Sequence, residues 1–563
     1  MLIDARLLPT NVTIETDVCI IGSGPAGITL ARELAQAGID ICMLESGSEE
    51  MPDEATKSLG NVEIDESFLQ VTSDNRNRKF GGNASYWGIN LHQGRMGLRI
   101  VPLEETDFEQ RDWVPYSGWP FNRDHLVPYY QRAQQVFGAG VFDYTADFWE
   151  SEDAPRLPFK GDRVTTRMFQ FGYLDLFTRT YRDEIAQAQN ITTYLHANAV
   201  ELETNDDGTT VTRVQCACLN GKRFWVSARI VLLAAGAIEN THLLLLSNRV
   251  NPDGLGNHYD VTGRFFMDHP LVAGGFIYPS NPAIFNQTAL YDKRYVRGTE
   301  IMGSLVLTNE AVRRERLLNL VSWIFPRAKR LNSPAISSLK ALASPRGYSH
   351  GVSGVLGHLG NVVKNVGDVV DAVVDKVTNT PPPFFPNLAT GGWSQCQPNR
   401  EKAYGMFEVL HMTEQVPNPN NRLVLGSGTD LLGRRAIKLI SRWSEADRNS
   451  IKQAQAVLVE EIARAGIGKY VPARTPDGDP VVVTLGSSHH MGSTRMHDNP
   501  KHGVVDAHCQ VHGVTNVFIA SSSVFPTGGY ANTTLTTVAL ALRLADHIKR
   551  RLSNQVELAK SLA

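Results

Sequence analysis

Hydrophobic and polar positions alternate between two periods along this chain. Near the start, residues 16–21 form the run Thr16-Asp17-Val18-Cys19-Ile20-Ile21, whose β-branched, apolar character predicts a buried strand. It runs into Gly22-Ser23-Gly24-Pro25-Ala26-Gly27. Apolar residues then recur at helical spacing through Ile28, Leu30, Ala31, Leu34 and Ala35. A second apolar run over 39–44 predicts another strand, and it ends at Glu45. The same grammar returns at 228–235, where a strand meets Gly236 and a helix over 237–246; this suits a further strand of one sheet. Residues 276–480 read as mixed strands without such a glycine turn. A long apolar helix is expected at about 535–548.

The order strand, glycine turn, helix, strand, acid carries chemistry. Gly22 makes the tight turn, Gly24 lets backbone approach a pyrophosphate, and Gly27 lets the helix pack on the strand. The helix N-terminus offers unpaired N–H groups and the positive end of its dipole. Glu45, about twenty residues on, can accept from both ribose hydroxyls. The turn alone does not separate a nicotinamide from a flavin. Its place at the front of so long a chain favours FAD, and a ligand-free β-α-β unit is the bland alternative.

Two other segments stand apart. Phe80-Gly81-Gly82-Asn83-Ala84-Ser85-Tyr86-Trp87-Gly88 is too glycine-dense for a core element; it suits either close approach to a flat ligand or a surface turn. Residues 331–390 carry glycines, prolines and a valine stripe from Val362 to Val377, expected to be an insertion that packs as a core or interface helix, or shields the active site.

Composition narrows the class. The chain has 563 residues, 55 Lys+Arg against 58 Asp+Glu, and a net charge of −3, which excludes a generally basic nucleic-acid binder. No apolar run approaches the ~18–20 residues of a membrane span. The N-terminus lacks a secretory layout, so a cytoplasmic location is expected. Six scattered cysteines make neither a disulfide framework nor a zinc ribbon.

The C-terminal part holds Leu485-Gly486-Ser487-Ser488-His489-His490-Met491-Gly492 and then Pro526-Thr527-Gly528-Gly529-Tyr530-Ala531-Asn532-Thr533-Thr534. Histidine exchanges protons near neutral pH and suits a general base. In a strand reading His489 and His490 face opposite ways, which argues against a metal pair and for one functional histidine. No metal is expected. The second run, just before a helix, presents an amide and free N–H groups to the electron-rich edge of a flavin.

Together these motifs resemble the glucose–methanol–choline (GMC) family of FAD oxidoreductases along nearly the whole chain. The likeness rests on Gly22–Gly27 with Glu45, on Gly81-Gly82-Asn83, on Gly236-Ala237-Ile238-Glu239-Asn240 and on the C-terminal block. Within the family the Ser-Ser-His489-His490-Met491-Gly492 run is similar to the pyranose oxidase and glycoside-oxidising branch. That resemblance implies an α/β fold: a Rossmann-like FAD domain from residues 1–95, 195–275 and 480–563, and a substrate domain on an antiparallel sheet from 96–194 and 276–479. It maps the catalytic histidine to His489, where most members carry it a few residues earlier (Thr484 here), and its partner to Asn532. FAD contacts are expected at Gly22, Gly24, Gly27, Glu45, Gly81, Gly82, Asn83, Trp87, Val200, Ala235 and Thr533. Gln415 and His490 are candidate substrate contacts. Tyr86 stands where pyranose oxidase has the histidine that bonds its flavin, so a non-covalent FAD is expected. The implied reaction oxidises a secondary alcohol, on a sugar or glycoside ring, with proton abstraction by His489 and hydride transfer to flavin N5. Oxygen or another electron acceptor completes the cycle. A homo-oligomer is possible, and the alternatives are an FAD-containing lyase or oxidation of a non-sugar alcohol.

Overall fold

The computed structural model describes residues 1–68, 71–85, 88–328, 387–396, 399–483 and 487–562. Tyr86, Trp87, Thr484, Leu485, Gly486 and the valine stripe of Val362–Val377 lie outside the described residues, as does most of the expected insertion.

Two sheets organise the chain. The first runs Leu2–Asp4, Ile191–Leu195, Ile41–Leu44, Thr13–Ile21, Arg223–Leu233 in spatial order, with every neighbouring pair parallel. The long last strand is shared. Its C-terminal end pairs in parallel with Val517–Ile519, while its front pairs antiparallel with Val211–Ala217, which in turn pairs with Asn198–Thr204. The first predicted strand begins three residues earlier than its apolar run, because Thr13–Asp17 is only half-buried and pairs with Trp225–Ala228. The apolar run reaches back only two residues, Thr16 and Asp17, from the four buried positions Val18–Ile21. The second strand begins at Ile41 rather than 39, and the third spans Arg223–Leu233 rather than 228–235.

Helices Pro25–Ala35, Ala237–Leu246 and Thr533–Leu562 flank this sheet. The second matches the sequence reading. The third, 30 residues long, outruns its predicted 535–548: the apolar stripe stops where the core stops, and the helix continues on polar contacts such as Lys549 to Glu33 at 2.8 Å. Its buried face (Leu535, Val538, Ala541, Leu542, Ala545) joins Val18, Ile20, Leu232 and Phe518 in one core.

The second sheet is antiparallel. Its order is Gly468–Pro472, Leu271–Pro279, Tyr404–Thr413, Leu320–Ala328, Thr299–Leu307, Val164–Tyr173, Met96–Ile100, Ile89–Asn90. Helix Glu445–Arg464 starts at a capping box in which Ser444 and Asp447 satisfy each other's backbone N–H groups. A small third sheet of Arg422–Thr429, Arg435–Ser441 and Val62–Ser67 was not foreseen, since Val-Glu-Ile-Asp-Glu-Ser is too polar to read as a strand. No helix among the described residues is long and apolar enough to cross a membrane.

Candidate active site

A cavity of about 560 Å³ runs from the glycine turn to the C-terminal histidines. At one end its wall is backbone. Gly22 sits at φ +104°, and a Cβ there would strike Ala234 and Ala235 of the neighbouring chain segment within 2.8 Å. A Cβ on Gly27 would stand 2.0 Å from the Gly22 carbonyl oxygen, so this position lets helix and turn close on each other. Gly24 differs: a Cβ there meets nothing within 4 Å, and the open space belongs to the cavity. The loop at Gly81-Gly82-Asn83 lies over the turn. Gly81 N–H donates to Ser23 O at 3.0 Å, and a Cβ on Gly82 would come within 3.1 Å of the Gly24 Cα. Asn83 ties the loop to itself, accepting from Asn77 N–H and donating to Asn75 O.

Glu45 lies on the cavity wall at the end of its strand, buried. Ser23 Oγ–H donates to its Oε2 at 2.6 Å, and Gly47 N–H donates to its Oε1 at 2.9 Å. The carboxylate therefore braces the glycine turn as well as facing the cavity. Ala235 and Thr533 line the cavity; Gly27, Gly81 and Val200 do not, and near Val200 the lining residues are Ala197, Asn198 and Ala199.

The other end is built from side chains. The expectation that His489 and His490 face opposite ways is corrected: residues 487–490 are not a strand, Ser488 has φ +55°, and both rings line the same cavity. His489 Nε2 lies 3.1 Å from Asn532 Nδ2, and His489 Nδ1 lies 3.0 Å from Nδ1 of His269. His269 Nε2 sits 3.3 Å from the Gly528 carbonyl oxygen. A carbonyl only accepts, so His269 carries its proton on Nε2 and its Nδ1 is bare. His489 then donates from Nδ1 to His269, which leaves His489 Nε2 as an acceptor directed at Asn532 and the cavity. The neutral forms that this chain requires are the ones burial favours. Burial pushes His269 down to about 4, and it holds His489 well below its ordinary value, with His269, Arg99 and His490 adding to that.

The backbone of this segment is anchored by Asp268, whose Oδ1 accepts from His489 N–H (2.7 Å), His269 N–H (2.7 Å) and Ser487 Oγ–H (2.8 Å). Burial raises Asp268 to about 6. Gln415 stands behind it rather than in the cavity, accepting from Asp268 N–H at 3.1 Å. His490 is lowered to about 3 by burial and by the nearby Arg76 guanidinium. Its Nε2 and the Asn532 Oδ1 are buried without a hydrogen-bond partner.

Asp268, His269 and Arg99 escaped the sequence reading. A signal existed for the first two: Asp268-His269 interrupts the apolar stretch Phe265-Phe266-Met267…Pro270-Leu271-Val272, and polar groups in such a stretch must be satisfied or used.

The described residues fit an FAD. The cradle at Gly24 is open, a helix N-terminus faces it, and the far end presents orphaned polar atoms that a bound group would engage. Comparison with known proteins agrees. Residues 15–75 match the model of an FAD binding domain, and residues 417–541 match the GMC oxidoreductase model. The chain thus carries a GMC oxidoreductase C-terminal domain over 417–541. It is an FAD-dependent oxidoreductase acting on CH–OH groups. It is similar to the fructose dehydrogenase large subunit of Gluconobacter japonicus, 24% identical over 96% of this chain and 98% of that one. A C-glycoside 3-oxidase of Microbacterium trichothecenolyticum is 36% identical over 22% of this chain and 23% of its own. The fold is shared with a formate oxidase of Aspergillus oryzae RIB40, with a TM-score of 0.52 at 16% identity, covering 97% of this chain and 100% of that one.

Proposed function

We propose that this protein oxidises a secondary alcohol, carried on a sugar or glycoside ring, and that His489 is the base and Asn532 its partner. The single observation behind this reading is the aligned chain Gly528–His269–His489–Asn532, which makes His489 Nε2 an unprotonated acceptor directed at Asn532 on the cavity wall. His489 Nε2 takes the hydroxyl proton. Asn532 Nδ2 donates to the hydroxyl oxygen as negative charge gathers there, a kind of interaction worth about 3–4 kcal/mol in comparable sites. Bound FAD supplies the two-electron acceptor for the hydride that the carbinol carbon gives up. Gly22, Gly24, Glu45, Gly82, Asn83, Ala235 and Thr533 hold that cofactor in this reading, with residues 1–95, 195–275 and 480–563 as its domain and the remainder as the substrate domain. The cofactor domain is extended to take in the parallel strand Ile191–Leu195 and cut back by Ile89–Asn90 and Leu271–Pro279, which pair in the antiparallel sheet.

The sugar preference is supported by the relatives' activities, and non-covalent attachment by Tyr86 at the position where the resemblance would place a histidine. Acid precipitation should release the flavin into the supernatant; flavin retained on the polypeptide refutes this. An anaerobic panel of sugars, glycosides and simple alcohols should bleach the flavin band for secondary ring alcohols first. A lyase would leave the yellow absorbance intact with every member.

A further inference from the structure

The cavity's catalytic end holds a cation that the alcohol chemistry does not use. Arg99 lies on strand Met96–Ile100 of the antiparallel sheet and lines the same cavity as His489 and Asn532. Its Cζ stands 4.4 Å over the ring of Trp323 and 5.9 Å from that of Phe169, which packs 6.4 Å from Tyr530, two residues before Asn532. Both Nε and Nη1 of Arg99 are buried without a hydrogen-bond partner. Among the described residues no carboxylate pairs with it, whereas Arg111 pairs with Glu414, Arg167 with Glu104 and Arg76 with Glu239. Buried Arg495 also lacks a carboxylate and has its Nε and Nη1 unpartnered, but it donates from Nη2 to the Tyr116 carbonyl oxygen. Burial lowers Arg99 only to about 10, so it stays charged at neutral pH, and its field adds to what keeps His489 neutral. A buried guanidinium with idle donors is costly unless something anionic completes it. Its planar fork matches a carboxylate in two parallel hydrogen bonds.

We infer that Arg99 is a substrate-recognition residue, and that the alcohol oxidised here carries a carboxylate, as a uronic or other acidic sugar does. This deepens the proposed alcohol oxidation and rests on it. The carboxylate would lie against Arg99 over the Trp323 ring, while the reacting hydroxyl sits between His489 and Asn532. A neutral sugar's hydroxyl can accept from the guanidinium but offers neither the negative charge nor the paired oxygens of a carboxylate, so the acidic sugar is favoured.

The test uses holoenzyme and the pair D-glucuronate and D-glucose, read by rapid anaerobic mixing as perturbation of the oxidised flavin's visible band before bleaching sets in, so that binding is scored separately from reduction. Wild type should bind glucuronate at least tenfold more tightly than glucose. Arg99→Gln should erase that difference, and Arg99→Lys, a point charge without the fork, should keep part of it. Equal affinity of wild type for both probes overturns the inference, as does a preference that survives Arg99→Gln. A lowered flavin reduction potential in Arg99→Gln with the preference intact also overturns it, because Arg99 would then serve the flavin's own negative charge. If Arg99→Gln does not retain FAD, wild type against Arg99→Lys decides on the same readout. Should no alcohol bleach the flavin while glucuronate still binds through Arg99, the alcohol-oxidation reading fails and the anion site stands.

Discussion

The two ends of the cavity solve different problems by different means. At the glycine turn the wall is backbone, the Glu45 carboxylate is satisfied by Ser23 and Gly47, and the frame comes from the stretch between Gly22 and Glu45, with Gly82, Asn83, Ala235 and Thr533 added from elsewhere in the chain. At the histidines the wall is side chains of residues 99, 489, 490 and 532, with Asp268 and His269 behind it, and it keeps several polar atoms unpaired. A binding end can be fully satisfied before its ligand arrives, since phosphates are held by N–H groups that solvent can meanwhile serve. A reacting end must leave capacity for atoms whose charge changes during the reaction.

Removing the base should separate the two ends most sharply. His489→Ala is expected to slow flavin reduction by substrate about 10²–10⁴-fold with FAD occupancy unchanged. The measurement is anaerobic rapid-mixing absorbance, with flavin content per chain alongside. Parallel loss of flavin and rate would mean that His489 supports cofactor binding, and the division between the ends would collapse.

The glycines sharpen the comparison within the binding end. Gly27→Ala drives a methyl into the Gly22 carbonyl and should destabilise the fold by about 1–3 kcal/mol or more. Gly24→Ala meets no protein atom, so its melting temperature without cofactor should match wild type. Its FAD affinity should nonetheless fall about tenfold or more, the equivalent of ~1.4 kcal/mol, through lost approach of backbone to phosphate. Fluorescence titration of apoprotein with FAD reads the second effect and thermal melting the first. If the two variants exchange behaviours, the open space at Gly24 is not where the cofactor lies.

At the reacting end, His269 should act through its neighbour. His269→Phe leaves His489 Nδ1–H without its acceptor and frees the ring to place its proton on Nε2. Flavin reduction should fall by roughly 10–100-fold, the scale found for partners that fix a ring's tautomer. His269→Gln, whose amide oxygen can accept that proton, should recover part of the rate. A merely space-filling His269 would be replaced as well by Phe as by Gln.

How much of this was legible follows the same divide. The nucleotide turn, its two strands, Glu45 and the helix over 237–246 are local patterns, and the structure differs mainly where half-exposed ends such as Thr13–Asp17 escape a search for buried runs. The strand Val62–Ser67 was illegible because its partner, Arg435–Ser441, lies far away in sequence and supplies the burial that its own residues do not advertise. His489 and Asn532 were legible through family likeness, but their shared face was not. Strand alternation sends His490 the other way, and a single residue, Ser488 at positive φ, undoes it. Arg99 belongs to a strand whose pattern announces only sheet, so nothing local told that it meets the cavity, whereas Asp268-His269 stand out as polar residues in an apolar stretch without telling that His269 meets His489.

The smallest expected effect concerns acid stability. His242, His489 and His490 on the cavity wall, His269 behind it and His411 in the antiparallel sheet are held neutral by burial: His269 and His242 sit at about 4, His490 and His411 at about 3, and His489 well below its ordinary value. The unfolded chain protonates each near 6.5, so between about pH 6.5 and 4 it binds more protons than the folded one, and stability falls as pH falls through that window. Asp107 and Asp268, raised to about 8 and about 6 by burial, act in the opposite direction, because the folded state holds their protons where the unfolded state does not. His125, His196, His497 and His547 are lowered as well and Asp292 and Asp447 raised, so the five histidines named belong to the larger set and the balance is a net acid destabilisation. His411 isolates the term, since it lies in the antiparallel sheet, with Nδ1 2.8 Å from Ser322 Oγ and Nε2 2.9 Å from Tyr470 Oη. His411→Gln removes one of the five protons and keeps an amide in place of the ring. Its melting temperature is expected to be lower than wild type at pH 7 through lost packing, yet to decline less steeply between pH 6.5 and 4. Parallel melting curves across that window would mean that His411 titrates alike in both states, and that burial does not hold it neutral.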